Sequence, residues 1–250
     1  MKQHILMKEK EANMNNSGIF YDSANLVDFK KWFDAGILGG ATTNPVILKK
    51  EGIFNIPEHI RKMIDICGMD FPISIEIPDS TWGKEEMIKL AIEYYSNFPL
   101  NAVIKIPMDP RDSQKSFEVM WSLTQENIPV NATLGLTSGQ LIAAAEALRG
   151  SKESYISLFW GRCDEAGGIG AEKTLLTVLK YLETHDLNSK IIIGSIRNTA
   201  QIDRAFELGA HIVTIPPKLL DEWMFSQKGV ETADEFNNAY REAKDKIVLI

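Results

Sequence analysis

The stretch 101-NAVIKIPMD-109 places a lysine inside a run of apolar, β-prone residues. Such a run is typical of a strand that is buried on both faces, as in a parallel sheet. An ammonium group taken out of water without a partner is costly, and it tends to lose its proton. A neutral lysine amine is a nucleophile. Lys105 is therefore either a catalytic group or a strand-end side chain that keeps its amine in water.

Seven further β-branched runs alternate with longer segments that carry apolar residues at three- and four-residue spacing. The runs are GIFYD (18–22), GATTN (40–44), PISIEIP (72–78), PVNATL (129–134), YISLFW (155–160), KIIIGS (190–195) and HIVTIP (211–216). Eight strands and eight helices in 250 residues predict an α/β fold, a single-domain (β/α)8 TIM barrel. A doubly wound sheet is disfavoured because no glycine-rich phosphate loop follows the first strand.

The predicted barrel occupies residues 18–220. A polar N-terminal extension, 1–17, precedes it, and a C-terminal helical arm, 221–250, follows it. The net charge of −7 argues against a nucleic-acid surface. The two cysteines show no metal-ligand spacing, so no metal site is expected. The chain has neither the roughly 20-residue apolar run of a membrane span nor the apolar core of a secretory signal, and it is predicted to be cytoplasmic.

Polar side chains recur where these strands end. In a barrel of this kind the catalytic groups lie at the carboxyl ends of the strands, and residues two apart share a face. Seven of the eight predicted strands carry a polar group near that end: Asp22, Asn44, Glu76, Lys105, Asn131 with Thr133, Ser157 beside Phe159, and Ser195. One polar residue at a strand end is usually a cap or a loop start. Seven that meet at one barrel mouth predict an active site.

Six motifs in order resemble the transaldolases, particularly the small subgroup that includes the fructose-6-phosphate aldolases. The motifs are FYDSANL, GATTNPVIL, VIKIPM, VNATLGLTSGQ, SLFWGR and GSIRN, and the resemblance extends from about Ile19 to about Leu220. The resemblance implies that a lysine amine attacks a ketose carbonyl to form a Schiff base. The C3–C4 bond then breaks, and a three-carbon unit stays on the enzyme. It implies no metal or organic cofactor.

The same resemblance implies roles for the polar residues. Lys105 corresponds to the Schiff-base lysine, and Asp22 corresponds to an aspartate that moves protons at a substrate hydroxyl. Glu76 and Thr133 correspond to a pair that holds and activates a water molecule. Asn44, Asn131 and Ser157 correspond to residues that bind the substrate, while Arg162, Ser195 and Arg197 correspond to a phosphate pocket.

Each role has a structural alternative. Asp22 could cap the following helix, although Ser23 or Asn25 can also cap it. Glu76 could form an ion pair with Lys105, which is compatible with catalysis. Asn44 could be a turn residue held extended by the proline that follows. Arg162 could form a surface salt bridge, but two arginines in matching motifs favour an anion site.

Two positions favour transferase over aldolase chemistry within this family. Phe159 stands where the aldolases have a tyrosine, and Glu76 stands where they have a glutamine. A phenol can deliver a proton and release the three-carbon unit to water, whereas a phenyl ring cannot. The sequence thus predicts transfer to an acceptor aldehyde, and aldolase-type cleavage is the alternative.

Three departures from the family pattern concern the substrate. Leu158 replaces a proline, Trp160 replaces a small aliphatic residue, and Val46 replaces a serine. Trp160 could pack under a helix or reshape the anion pocket, so a sulfonated ketose, 6-deoxy-6-sulfofructose, is a second candidate donor beside a sugar phosphate. A non-enzymatic sugar-phosphate sensor would be expected to have lost Lys105, Asp22 or Glu76. The C-terminal arm resembles one that contacts neighbouring subunits, which predicts a homo-oligomer.

Overall fold

The computed structural model describes residues 18–247, which form a closed barrel of eight parallel strands in chain order. The strands are β1 (Ile19–Asp22), β2 (Gly40–Thr42), β3 (Ile73–Glu76), β4 (Ala102–Pro107), β5 (Val130–Gly135), β6 (Ser154–Phe159), β7 (Lys190–Gly194) and β8 (Ile212–Ile215). Each lies within or overlaps one predicted run, and the predicted (β/α)8 barrel is confirmed. The predicted extension, 1–17, lies outside the described residues.

Eleven α-helices surround the barrel or follow it within residues 18–247. They are α1 (Leu26–Asp34), α2 (Pro45–Lys50), α3 (Ile56–Cys67), α4 (Lys84–Asn97), α5 (Ser113–Gln125), α6 (Ser138–Ala147), α7 (Trp160–Ala166), α8 (Gly170–Thr184), α9 (Thr199–Glu207), α10 (Pro217–Met224) and α11 (Gln227–Ala243). The short helices α2 and α7 are not expected from the sequence pattern. Both begin within three residues of a strand end, and each holds one residue of the predicted site: Asn44 is the N-cap of α2, and Arg162 lies in α7.

The barrel interior is built in layers that follow the two-residue period of the strands. Five apolar side chains from five strands form one buried cluster: Phe20, Val103, Tyr155, Ile192 and Ile212. Two residues further along the same strands are Asp22, Lys105, Ser157, Gly194 and Thr214. Because residues two apart share a face, the apolar layer is the floor beneath a mostly polar layer. The predicted site therefore lies on a packed hydrophobic base.

Gly40 shows how tightly that base is filled. A Cβ atom at Gly40 would lie 2.4 Å from the Phe20 ring, which pairs with it in register across β1 and β2. Real Cβ atoms do not approach a ring so closely, so the Phe20 ring occupies the space that a side chain on β2 would need. The glycine lets one large aromatic residue close the barrel below the cavity.

The C-terminal helices lie at the predicted boundary between barrel and arm. Helix α10 crosses the predicted boundary at 220, and its Leu220 is fully buried. Helix α11 buries none of its residues. It begins at Gln227, and the Ser226 hydroxyl caps it by accepting from the Gly229 N–H. The division into barrel and arm stays a prediction.

Candidate active site

A cavity of about 780 Å³ opens at the carboxyl ends of the strands. Nine of the predicted site residues line it: Asp22, Asn44, Glu76, Lys105, Ser157, Phe159, Arg162, Ser195 and Arg197. The other two, Asn131 and Thr133, are buried in the adjoining β5 wall. The structure thus brings together residues that are up to 175 positions apart in the chain.

Lys105 is held by contacts with β3 and with the residue that follows β2. Its side chain is only 5% exposed, so its amine is not in bulk water. The Nζ atom lies 3.1 Å from Glu76 Oε2 and donates to the Thr43 carbonyl oxygen at 3.2 Å. Glu76 and Lys105 are register partners on β3 and β4, which explains why their side chains meet. The predicted ion pair exists, and the solvated-lysine alternative is wrong.

Asp22 is the second carboxylate of this layer. Burial raises the pKa of Asp22 and the Glu76 charge raises it further, while Lys105 and a hydrogen bond from Thr42 lower it. The Thr42 hydroxyl donates to Asp22 Oδ1 at 2.8 Å. A carboxyl whose pKa is raised in a cleft by burial is suited to proton transfer near neutral pH.

Helix capping does not consume Asp22. The Asn25 side chain caps α1 by accepting from the Val27 and Asp28 N–H groups. The Ser23 hydroxyl accepts from the Asn25 N–H and stabilises the turn between β1 and α1. Asp22 is therefore free to face the cavity.

Asn44 is the N-cap of α2 and also lines the cavity. Its backbone is extended, and its Oδ1 atom accepts from the Ile47 N–H, which caps α2. Proline at the first position of α2 supplies the helical φ without needing a donor. Because only the carbonyl end of the side chain is used, its amide N–H groups are available to a ligand in the cavity.

The β5–β6 wall contains a buried polar network. Asn131 is fully buried, donates to the Ser74 hydroxyl at 3.1 Å and accepts from the Ser157 hydroxyl at 2.7 Å. Its amide is thereby fixed in orientation. The Thr133 hydroxyl is different, because its oxygen is buried and has no hydrogen-bond partner among the described residues. A buried polar atom without a partner calls for an explanation, and a ligand or a water molecule would provide one.

Gly161 positions Arg162 and Arg197, which form a cationic rim on the cavity. Helix α7 starts directly after β6, so Arg162 lies in the first turn of a helix rather than in a loop. Gly161 donates its N–H to the Ser195 carbonyl oxygen at 3.1 Å. A Cβ at Gly161 would lie 2.7 Å from that oxygen and 2.9 Å from Arg197 Cγ. Only glycine permits this contact, which brings the two arginine-bearing segments together.

Ser195 and the two arginines present donors at this rim. Ser195 has a φ of 58°, in the left-handed region, and its buried hydroxyl has no partner among residues 18–247. Arg197 pairs with Glu165 at 3.3 Å. Arg162 has no carboxylate within 4.0 Å among the described residues, so the surface salt-bridge alternative is not observed. Two guanidinium groups and a hydroxyl suit an anionic oxygen cluster.

Phe159 lies between the amine and this rim. Its ring centroid is 5.9 Å from Lys105 Nζ and 5.6 Å from Arg162 Cζ. Trp160, the next residue, is 3% exposed and packs in the hydrophobic core outside the cavity. Of the two readings of Trp160, the structure supports packing under a helix.

Thr42 and Thr214 are cavity residues that the sequence analysis misses. Their hydroxyl oxygens lie 2.5 Å apart, and Thr42 also contacts Asp22. Thr214 is the one polar residue inside the apolar run 212–215, which is the same signal that marks Lys105. The sequence pattern marks no polar end residue on β8, and Thr214 occupies that position.

A second cavity of about 760 Å³ lies at the amino ends of the strands. Phe20 and Tyr155 line it, and they separate it from the polar layer. None of the predicted site residues borders it. Barrel enzymes bind their substrates at the opposite end, so the cavity with Lys105 is the candidate active site.

Within residues 18–247, no cluster of three or more histidine, cysteine, aspartate or glutamate side chains is arranged to hold a metal ion. None of the described helices combines the length and the apolar content that a bilayer span requires.

An eight-stranded parallel barrel with a charged cavity at this end is typical of (β/α)8-barrel enzymes. A family model described as transaldolase/fructose-6-phosphate aldolase matches residues 19–248. The chain belongs to the transaldolase/fructose-6-phosphate aldolase family, and the predictions of this family and of a transferase enzyme are confirmed.

Individual relatives agree with this assignment. A protein named "Probable transaldolase" from Clostridium kluyveri is 37% identical over 204 residues, which cover 81% of this chain and 87% of that protein. A "Probable transaldolase" from Exiguobacterium sp. is 32% identical over 226 residues, 88% of this chain and 97% of its own length. A "Probable transaldolase 2" from Bacillus cereus is 33% identical over 208 residues, which cover 81% of this chain and 88% of that protein.

Proposed function

We propose that this enzyme transfers a three-carbon dihydroxyacetone unit from a ketose with an anionic group at C6 to an acceptor aldehyde. The observation that carries the proposal is the Lys105 amine, buried in the cavity beside Glu76. Phe159 lies between this amine and Arg162, so the amine and the cationic rim face one cavity. One extended sugar chain can contact both.

The reaction would begin at the Lys105 amine. In its unprotonated form the amine attacks the C2 carbonyl of the ketose, which gives a carbinolamine, and loss of water then gives an iminium ion. Glu76 is 3.1 Å from Nζ and can accept and return the proton that this exchange requires. The buried Thr133 hydroxyl can bind the water that leaves. The iminium ion serves as the electron sink for the next step.

Bond cleavage would use Asp22. Its carboxylate accepts the proton of the C4 hydroxyl as the C3–C4 bond breaks, and the bonding electrons move into the iminium to form an enamine. The aldehyde fragment leaves, and the three-carbon enamine stays on Lys105. The raised pKa of Asp22 suits this exchange, because the group can take up a proton and later return it to the alkoxide of the new product.

Phe159 favours transfer over release to water. Its ring faces Lys105 Nζ and has no group that could protonate the enamine carbon. The enamine therefore waits for an acceptor aldehyde, attacks its carbonyl carbon and forms a new C3–C4 bond. Aldolase-type cleavage without an acceptor is the competing outcome.

The anionic group of the donor would bind at Arg162, Ser195 and Arg197. We favour a phosphate because two guanidinium groups match its charge. Trp160, the departure that suggested a sulfonated ketose, packs in the core and does not line the cavity. A sulfonate donor thus has weaker support, and direct comparison decides between the two.

The proposal is tested by offering the purified enzyme fructose 6-phosphate or 6-deoxy-6-sulfofructose at equal concentration, each with and without an acceptor aldehyde. Acceptor-dependent turnover that disappears in Lys105→Ala is expected, with preference for the phosphate. Steady release of dihydroxyacetone without an acceptor would contradict transfer. A large preference for 6-deoxy-6-sulfofructose would mean that the donor is the sulfonated ketose and not the ketose phosphate.

We also propose a cytoplasmic homo-oligomer. Both cysteines are free thiols, as expected in a reducing compartment. Phe236 and Tyr240, four residues apart on α11, are 66% and 45% exposed, which leaves an apolar face for a second copy. Light scattering should give a mass above one chain, and Phe236→Ser should lower it. A monomeric wild-type protein would refute the assembly.

A further inference from the structure

Asp22 is the first member of a chain of three side chains. Thr42 on β2 pairs with Asp22 in register, and its hydroxyl donates to Asp22 Oδ1 at 2.8 Å. The Thr42 and Thr214 hydroxyl oxygens lie within hydrogen-bonding distance of each other. Thr42 is 1% exposed and Thr214 is 5% exposed. Asp22 lies on β1, Thr42 on β2 and Thr214 on β8. These hydrogen bonds therefore link β1 to β2, and β2 to β8, the strand on the other side of β1.

The direction of the hydrogen bonds follows from the number of protons. A carboxylate only accepts, and each hydroxyl has a single proton to donate. Because the Thr42 proton is directed to Asp22, the proton between the two threonines must come from Thr214. The chain therefore runs from Thr214 to Thr42 to the Asp22 carboxylate. Each hydroxyl oxygen keeps its own proton, and no proton is transferred along the chain.

We propose that Thr214 is a positioning residue for the reaction, acting through Thr42 to orient the Asp22 carboxylate and keep it in its proton-accepting form. This inference rests on the proposed function, in which Asp22 takes the proton of the C4 hydroxyl. Thr42 fixes Oδ1, and Oδ2 remains for the substrate. Successive hydrogen bonds polarise one another. The hydrogen bond from Thr42 to Asp22 is therefore stronger when the Thr42 oxygen also accepts from Thr214.

A purely structural role would not need these hydroxyls. One layer below, β8 carries the apolar Ile212, and the Phe20 ring fills the space beside Gly40 of β2. Valine has nearly the shape of threonine, and a buried hydroxyl without a partner is costly. Two threonines are therefore placed where packing alone could be achieved by valines. They face the one carboxyl of the layer that is not paired with Lys105 within 4.0 Å among the described residues.

Charged groups around Asp22 must be held constant in any test. Lys105 from β4 and Glu76 from β3 act directly on it, and they oppose each other. The other ionisable side chains that line the cavity are Asp28, Lys50, Glu51, Arg162, Arg197, Lys218 and Asp221. Substitutions of a threonine leave all of these groups in place, so a change in pH dependence reports on the hydroxyl chain.

The test compares kcat and KM as functions of pH for the wild type, Thr214→Val and Thr214→Ser. Thr214→Val should lower kcat by about 3- to 10-fold with little change in KM, because one supporting hydrogen bond is lost. It should also move the acid limb of the kcat profile upward, since the carboxylate form loses support. Thr214→Ser restores the hydroxyl and should restore both. Thr42→Val should act in the same direction and more strongly.

Thr124→Val is the matched control. Thr124 is also buried, and its hydroxyl bonds only within α5, to the Met120 carbonyl oxygen. The control should keep the wild-type pH profile. Thr214→Ala, which cannot overpack, is a second variant if Thr214→Val does not fold. A wild-type acid limb in the folded Thr214 variants, or a loss that Thr214→Ser does not repair, would overturn the inference.

A readout without substrate separates this inference from the proposed function. The Asp22 carboxyl can be titrated by carbon-13 NMR in aspartate-labelled protein, with Asp22→Asn used for assignment. Thr214→Val should raise the observed midpoint relative to the wild type and to Thr124→Val. If the midpoint moves but no ketose is turned over, only the proposed function fails. If ketose is turned over but the midpoint does not move, only the role of Thr214 fails.

Discussion

Gly161→Ala should separate anion binding from Schiff-base chemistry. The added methyl group would lie 2.7 Å from the Ser195 carbonyl oxygen, 2.9 Å from Arg197 Cγ and 3.0 Å from Arg197 Nε. The first contact is with backbone, so rotation of a side chain cannot relieve it. Helix α7 must therefore move away from the loop that carries Ser195 and Arg197.

The magnitude follows from two costs. Overpacking of this kind typically destabilises a protein by about 1–3 kcal/mol. Displacement of one of the two arginines also weakens its charge-assisted hydrogen bond to the anion, and such a bond contributes about 1.5–3 kcal/mol. At 1.4 kcal/mol for each tenfold change, KM for a ketose phosphate should rise roughly 10- to 100-fold. Lys105 lies on β4, away from this contact, so Schiff-base formation should persist.

The assay measures KM for fructose 6-phosphate and for fructose, which lacks the anion. In Gly161→Ala the preference for fructose 6-phosphate over fructose should fall by most of the roughly 10- to 100-fold rise in KM. The kcat and KM for fructose should stay close to the wild-type values. Gly139→Ala is the control, because its nearest neighbouring atom is Thr137 Oγ1 at 3.9 Å. Alanine in helix α6 there should stabilise the fold by up to about 1 kcal/mol.

An unchanged phosphate preference in a folded Gly161→Ala protein would refute the reasoning. It would mean that the close contact between α7 and the Ser195 loop does not place the anion site. Equal losses for fructose and for its phosphate would also refute it, because they would indicate general damage to the barrel.

Three further predictions concern residues deeper in the cavity. Phe159→Tyr should increase the release of dihydroxyacetone without an acceptor, because a phenol near Lys105 can protonate the enamine; unchanged release would count against the role of Phe159. Asp22→Asn should be more resistant to urea than the wild type at neutral pH, since burial raises the pKa of Asp22 and its ionised form therefore costs folding free energy. That advantage should vanish below the ordinary carboxyl range, where Asp22 is protonated in both states; an advantage that persists in acid would oppose this explanation. Thr133→Val should slow Schiff-base formation about 10-fold in stopped-flow trapping, and wild-type rates would remove Thr133 from the water site.

The barrel could be predicted because each strand carries a local signal. Short β-branched runs bounded by turn residues mark all eight strands, and the two-residue period places Lys105 above Val103. Helix α7 could not be predicted in this way. It is a seven-residue segment without a side-chain cap, and it follows β6 with no intervening loop. Its position depends on the tertiary contact between Gly161 and Ser195.

The same distinction applies to the site. Asp22, Glu76 and Lys105 are charged residues at the ends of apolar runs, so the pattern alone draws attention to them. Thr42 and Thr214 are 172 positions apart, and their contact exists only because β1 lies between β2 and β8 in the closed barrel. The left-handed φ of Ser195 is likewise a property of the folded loop. Such features need coordinates because they depend on which strands become neighbours.

The central claim is that Lys105 forms the Schiff base. The most direct measurement is borohydride reduction of the enzyme with a ketose donor and no acceptor, followed by peptide mass spectrometry. Two other lysines, Lys50 and Lys218, line the same cavity and serve as internal controls. The mass of one reduced ketose-derived adduct should appear on the peptide that contains Lys105 and be absent from Lys105→Ala. An adduct on Lys50 or Lys218, or no adduct in an enzyme that turns the donor over, would contradict the account.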